Sequence, residues 1–426
     1  MKLENKNHQL FNKCKNFVVA APLSLAALIS ASLPAQAVSF NFSYQTGGTS
    51  IDTGLGRTYQ ASSLSNDQIK GVELAGLIWS SYLQDSGVEV NVHFAMTNLA
   101  TQHTGKLGGA TPYMKKMNYD KLKEGLTSDG TADISKLPTS TQGDDKYSVM
   151  EQGNSVNNSY YEVMQTTANN KALGNDISGD ASGLDLFIQL DDSVNWSYDH
   201  ANQTIANNKY DFVSVVLHEI GHGLGFISGI DSQSGSMPLP TNLDMFRYSH
   251  QSRDQGAIDY KIGGNKYFST DGGYNEIGQF STGTASGGDG NQASHWKQNG
   301  SNYLGIMSPL LQAGDIGEIT ELDLKAFDYI GWEVNYGAQF SLSALAQTAA
   351  TNANNASITN RSSDVQSMIT ASGIYSWDWG GPWQGNQSNN QSQKVSEGST
   401  NAGMLAMILL ATISWTKRFH RGRFEL

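Results

Sequence analysis

The sequence predicts an α+β domain: a mixed, twisted sheet with one backing helix, a more apolar helix that carries a cluster of polar residues, and a closing helix. Three stretches predict it. Near the start, VSFNFSY from Val38 alternates as a strand does, DQIKGVELAGLIWSSYL (Asp67–Leu83) repeats apolar residues at helical spacing, and Val88–Thr97 is a strand again. Strand, helix and strand in that order are a unit of sheets backed by helices. Asn208–Phe226, NKYDFVSVVLHEIGHGLGF, then reads as the apolar helix, and Thr320–Trp332, TELDLKAFDYIGW, as the closing one.

Taken in order, Ile69, Val72, Leu74, Ala75, Ile78 and Trp79 form the buried face of the first helix. Thr101–Gly153 is rich in Gly, Thr, Asp and Lys and predicts a long loop region with short elements. Tyr160–Leu173 predicts a helix, and Leu184–Leu190, LDLFIQL, a strand. In Asn208–Phe226 the pair Asn208 and Asp211 is the expected cap. Phe212, Val215, Val216, Ile220 and Leu224 are its buried stripe, and Gly225 is the residue that ends it. Asp231–Ala293 is polar and Gly-rich, with strand-like pieces at Tyr267-Phe268 and Gln279–Ser281. Thr320 with Asp323 caps the closing helix, Leu322, Leu324, Phe327 and Ile330 face inward, and Gly331 stops it. From about Asn335 the composition shifts to Asn, Ser, Gln, Ala and Thr, which predicts a mostly flexible spacer over 335–398. The aromatic cluster Tyr375, Trp377, Trp379 and Trp383 within it is too apolar for a pure linker.

The ends carry export signals. Lys2, Lys6, Lys13 and Lys15 precede the apolar run Phe17–Leu33 and then Ala35-Gln36-Ala37, the form of a signal peptide cleaved after Ala37. The single cysteine, Cys14, lies in this leader, so a large core or a metal must stabilise the exported chain. A net charge of -12 argues against nucleic acid as a partner and suits cation binding. The domain therefore spans 38–334, with an upper part at 38–226 and a lower part at 227–334. The spacer follows, and 399–426 form a hydrophobic tail.

His218, Glu219 and His222 make the pattern H-E-x-x-H inside the apolar helix. Residues four apart lie on one helix face, so two imidazoles can converge on one metal ion with Glu219 beside them as a base. A catalytic zinc takes three protein ligands and keeps one position for water. Downstream candidates for the third ligand are Asp231, His250 and His295. His93, His103 and His200 have no patterned neighbours and read as structural. Asp191-Asp192, Asp271-Gly272-Gly273 and Gly288–Asn291 have the chemistry of calcium loops without EF-hand spacing, and solvated turns account for them.

The pattern H-E-x-x-H-x-x-G through Gly225 resembles the metzincin zinc peptidases, with Ser228 where their third histidine stands. His295, in Ala293-Ser294-His295-Trp296, lies shortly before Gly305-Ile306-Met307-Ser308-Pro309. That combination resembles leishmanolysin and related bacterial secreted metallopeptidases, in which an insertion separates the two halves of the zinc motif. The resemblance covers about residues 66–333. It implies Zn²⁺ held by His218, His222 and His295, Met307 in a Met-turn beneath the metal, and Glu219 as general base. It also implies the LDLFIQL strand as the sheet edge that pairs with an extended peptide substrate, whereas the pattern alone reads at least as well as an ordinary buried strand. The tail, Val395–Thr400 (VSEGST), Met404–Trp415 and then KRFHRGR, resembles the PEP-CTERM sorting tail, with Ser396 and Gly398 in place of its prolines. That implies a sorting protease and a membrane or cell-envelope location; a retained anchoring helix is the other reading. The expected activity is zinc-dependent hydrolysis of peptide bonds. The rival expectations are a catalytically silent binding protein on the same fold, or a zinc hydrolase of non-peptide amides or esters.

Overall fold

The computed structural model describes residues 38–52, 57–101, 105–175, 182–230, 239–298, 303–372 and 384–385. The expected leader, the hydrophobic tail and the aromatic cluster lie outside these residues. Among the described residues, no helix is long and apolar enough to cross a membrane.

The fold is α+β. Its main sheet has seven strands, among them β1 (Val38–Gln45), β2 (Ser50–Asp52), β3 (Thr58–Ser62), β4 (Val88–Thr97) and β5 (Gly108–Pro112). The other two are Leu186–Asp191 and Ser357–Thr359. Across the sheet the order is Ser357–Thr359, β1, β4, Leu186–Asp191, β5. The first four run parallel, with Phe40 beside Val90 and Phe94 beside Ile188, while β5 runs antiparallel with Ala110 beside Ile188. β2 and β3 form a hairpin attached to the end of β4. The expectation of an edge strand at LDLFIQL is corrected here. That strand is bonded on both sides, and β5 is outermost, because its glycines and small residues carry little pattern of their own.

Eight helices are described: α1 (Asn66–Tyr82), α2 (Tyr119–Asp129), α3 (Thr167–Ala172), α4 (Phe212–Gly223), α5 (His250–Arg253), α6 (Glu321–Tyr329), α7 (Leu342–Ala353) and α8 (Ser362–Ala371). A reciprocal box of Ser65 and Gln68 starts α1, with Gln68 N donating to Ser65 Oγ at 3.2 Å. Side chains alternate across the sheet, so Phe94, Met96, Leu186 and Ile188 join the core with α1 and α4, while Ala95 and Phe187 face the other way. That second face is covered by Val365, Met368 and Ile369 of α8. At roughly 1.5–3 kcal/mol for each large apolar side chain buried, this cover is a principal contribution to stability.

Residues 342–371 thus correct the spacer expected at 335–398. Polar composition resembled a linker, but α7 packs on α1, Ser357–Thr359 lengthens the sheet beside β1, and α8 closes its open face. Buried Gln45 ties the addition down, its Nε2 donating to Asn360 Oδ1 at 2.8 Å and to Ser362 Oγ at 3.1 Å. The helix expected at Tyr160–Leu173 is a strand, Glu162–Thr166, followed by the short α3, since Glu162–Thr166 pairs with Met114–Asn118. The region Thr101–Gly153, expected as loop, contains the eleven-residue α2.

Where the chain leaves α6, Leu83 bridges Val334 and Glu333 N donates to Asp85 Oδ2 at 3.1 Å. Burial raises the Asp85 carboxyl to about 7, with repulsion from Glu333 and Asp129 adding to it and backbone N–H donors opposing it. Burial raises Asp129 and Asp328 as well. A carboxyl whose folded value lies above its unfolded value binds its proton more tightly in the native state. Its stabilising effect is full below the ordinary carboxylate range and is lost as pH rises to about 7. Asp85→Asn should therefore gain on the wild type by on the order of 2–4 kcal/mol between pH 5 and pH 8. Urea unfolding at the two pH values checks this, and an unchanged difference between the proteins contradicts it.

Candidate metal centre

α4 starts one turn later than its sequence pattern suggests. Tyr210-Asp211 pairs in parallel with Trp196-Ser197, which keeps the chain extended through Asp211. Asp211, not Asn208, is the cap, its Oδ2 accepting from Ser214 N at 3.0 Å. All twelve residues of α4 are buried. Trp79 of α1 donates its Nε1 to Leu217 O at 2.9 Å, which fixes the helix beside His218. Gly221 is required by close approach, because a Cβ there would run into Met307 Sδ. The helix ends at Gly223, and Gly225, at φ 116°, turns the chain away.

The structure brings His218, His222 and His295 together, with a ligand atom from each inside a 4.8 Å cluster. Nε2 of His218 lies 3.0 Å from Nε2 of His222 and 3.2 Å from Nε2 of His295. The Nδ1 atoms face carbonyl oxygens: His218 that of Ile306 at 2.7 Å, His222 that of Phe226 at 2.7 Å, and His295 that of Gln292 at 3.1 Å. A carbonyl only accepts, so each Nδ1 carries the proton and each neutral ring presents a bare Nε2. Burial keeps the rings neutral. It lowers His222 to about 4 and lowers His218 and His295 well below the usual histidine value, with repulsion among the rings adding to the shifts of His218 and His295. The three Nε2 atoms therefore face one common point as acceptors. That donor set fits a cation such as zinc, bound by neutral imidazole nitrogens whose other nitrogens are fixed by backbone acceptors.

Glu219 is fully buried beside this cluster. A side chain at Gly108 of β5 would begin 3.2 Å from its Oε1, so the carboxylate lies against the outermost strand. Met307 is fully buried against Gly221 on α4. Of the other candidates, His250 begins α5, is exposed, and pairs with Glu276 Oε1 at 3.0 Å. Asp231 and His103 lie outside the described residues. His93 is buried in the sheet between Ser43 Oγ and Gln45 Oε1, and His200 is buried against Asp211. The acidic loops hold their own carboxylates: Asp271 accepts from Ser269, Tyr274 and Asn275, and Asp289 accepts from Thr282 N and Asn291 N.

Sequence reasoning missed the groups that deliver His295. Ser228, at the expected place of a third ligand, donates its backbone N to Ser294 Oγ at 2.9 Å and its hydroxyl to Asp244 Oδ1 at 2.6 Å. It thus anchors the residue before His295. Trp296 N donates to Met307 O at 3.0 Å, and Trp296 stacks on Phe280 at 5.0 Å. Asp323, read from sequence as a helix cap, is wholly buried and gathers five donors. They are Trp296 Nε1 (2.8 Å), Ile306 N (2.8 Å), Met307 N (3.2 Å), Thr320 N (2.8 Å) and Thr320 Oγ1 (2.8 Å). Its capping box with Thr320 was the visible signal; its reach to the Met307 turn depends on the tertiary fold.

Asp323→Ala should therefore cost about 3–5 kcal/mol, because it strands several buried donors. Thr320→Ala, which removes the cap contacts and the hydroxyl's bond to Leu304 O at 3.0 Å, should cost less, about 1–2 kcal/mol. Denaturant unfolding of both variants gives the comparison, and equal losses would reduce Asp323 to a cap.

A family model described as SPBPB7E8-like matches residues 177–246, which include α4, His218, Glu219 and His222 but stop short of His295. No curated protein and no solved structure matches the chain.

Proposed function

We propose that this chain is an exported, zinc-dependent endopeptidase of metzincin type. The observation that carries the reading is the convergence of three buried histidine Nε2 atoms at the helix that also carries the buried Glu219. His218, His222 and His295 would hold the zinc, with Met307 as an apolar floor. When bound, zinc supplies Lewis acidity, polarising a substrate carbonyl and making water more acidic. The Glu219 carboxylate takes a proton from the attacking water as the new carbon–oxygen bond forms. It then returns that proton to the amine nitrogen as the carbon–nitrogen bond breaks. The backbone of β5, outermost in the sheet and next to Glu219, offers the edge on which an extended peptide can pair. Export by the leader, and retention or sorting at the cell envelope by the tail, complete the proposal.

Casein hydrolysis by the purified protein should require zinc and stop with a chelator. Glu219→Gln should lose about 10²–10⁴-fold in turnover while binding about one zinc per chain. His295→Ala should lose zinc and activity together. A zinc-loaded wild type that cleaves esters or small amides but no peptide would replace this reading with that of a different hydrolase. Zinc binding without any turnover would leave a binding protein.

A further inference from the structure

Between α1, the chain at 316–319 and the start of α7 lies a cavity of about 180 Å³ that includes no residue of the histidine cluster. Ile78, Leu217, Ile316, Phe340 and Leu342 give it apolar walls. Its polar groups are few, and Glu318 is the only carboxylate among its lining residues, which include no Lys or Arg. His200 also lines it, with Nδ1 2.6 Å from Asp211 Oδ2. Asp211 is fully buried at the start of α4, so the ring is held from the core. A carboxylate accepts, so Nδ1 donates to Asp211, and Nε2 makes no hydrogen bond among the described residues. Tyr82 and Phe340, edge to face at 5.5 Å, both line the cavity and offer π faces to a cation. Burial raises the Tyr82 hydroxyl, and the Glu318 carboxylate near it raises it further.

Apolar walls, a carboxylate with no Lys or Arg in the lining, and two aromatic rings together describe the complement of an ammonium group on a short apolar stem. We infer that this cavity binds a small apolar primary amine, its hydrocarbon against Ile78, Leu217 and Leu342 and its ammonium facing Glu318 and the Tyr82 and Phe340 rings. An apolar cavity of about 150 Å³ accommodates benzene, so a single ring with an aminomethyl group suits this one. The site is separate from the metal centre but shares α4 with it, since Leu217 directly precedes His218.

The test is titration of the full chain with benzylamine, followed by ligand-observed NMR, with benzyl alcohol as a neutral isostere and benzoate as an anion. Benzylamine should saturate one site at least tenfold more tightly than benzyl alcohol, and benzoate should not bind. Glu318→Gln, at an exposed position that leaves the core intact, should weaken benzylamine about tenfold and leave benzyl alcohol unchanged. Leu342→Trp, which fills the cavity, should abolish binding of both. Because amines also ligate metals, the titration is repeated after chelator treatment and should give the same affinity. Equal binding of amine and alcohol, absence of saturable binding, an affinity untouched by Glu318→Gln, or binding lost with the metal would each overturn the assignment.

Discussion

Three imidazoles meet at one point, and each presents its Nε2 nitrogen. Here that choice is made by three backbone carbonyls, those of Ile306, Phe226 and Gln292, each claiming an Nδ1 proton. The carbonyls come from three separate turns, and much of the surrounding fold serves to hold those turns still. Phe226 O is set by the chain reversal after α4, and Ile306 O by the carboxylate of Asp323. The segment ahead of His295 is tied to Ser228. Burying three acceptors face to face is unfavourable in the absence of a positive charge. The three histidines could therefore hold a metal ion between them.

What could be read from the sequence followed the range of the interactions. His218 and His222 share one helix face, and their spacing states the geometry outright. His295 lies 77 residues from His218, and no periodicity connects them. Its selection rested on a resemblance in the residues around it. Ser228 shows the same limit from the other side. As a missing histidine it looked like a defect, whereas its backbone amide and hydroxyl reach Ser294 and Asp244, contacts formed only across the folded chain.

The sheet was legible where alternation is strong, in β1 and β4, and illegible where it is weak. β5, GGATP, has little alternation to display, and the edge position of LDLFIQL is an expectation of the resemblance alone. The pattern in α8 was present but sparse. Val365, Met368 and Ile369 stand at helical spacing within a stretch of Ser, Thr, Asn and Gln, a composition shared with linkers. A sheet whose inner strands are apolar on both faces needs two covers. Val38–Thr97 supplies one cover through α1, and the second comes from α8 in a stretch whose composition reads as spacer.

The contact between Gln45 and Asn360 joins residues 315 positions apart, and the first strand has its outer neighbour only once Ser357–Thr359 arrives. Closure of so long a loop late in assembly slows folding, since the entropy lost is recovered only when the ends meet. The nascent amino-terminal half cannot complete its native layers by itself while synthesis continues. Its first strand and the second face of its sheet are covered only after residues 357–371 have been made.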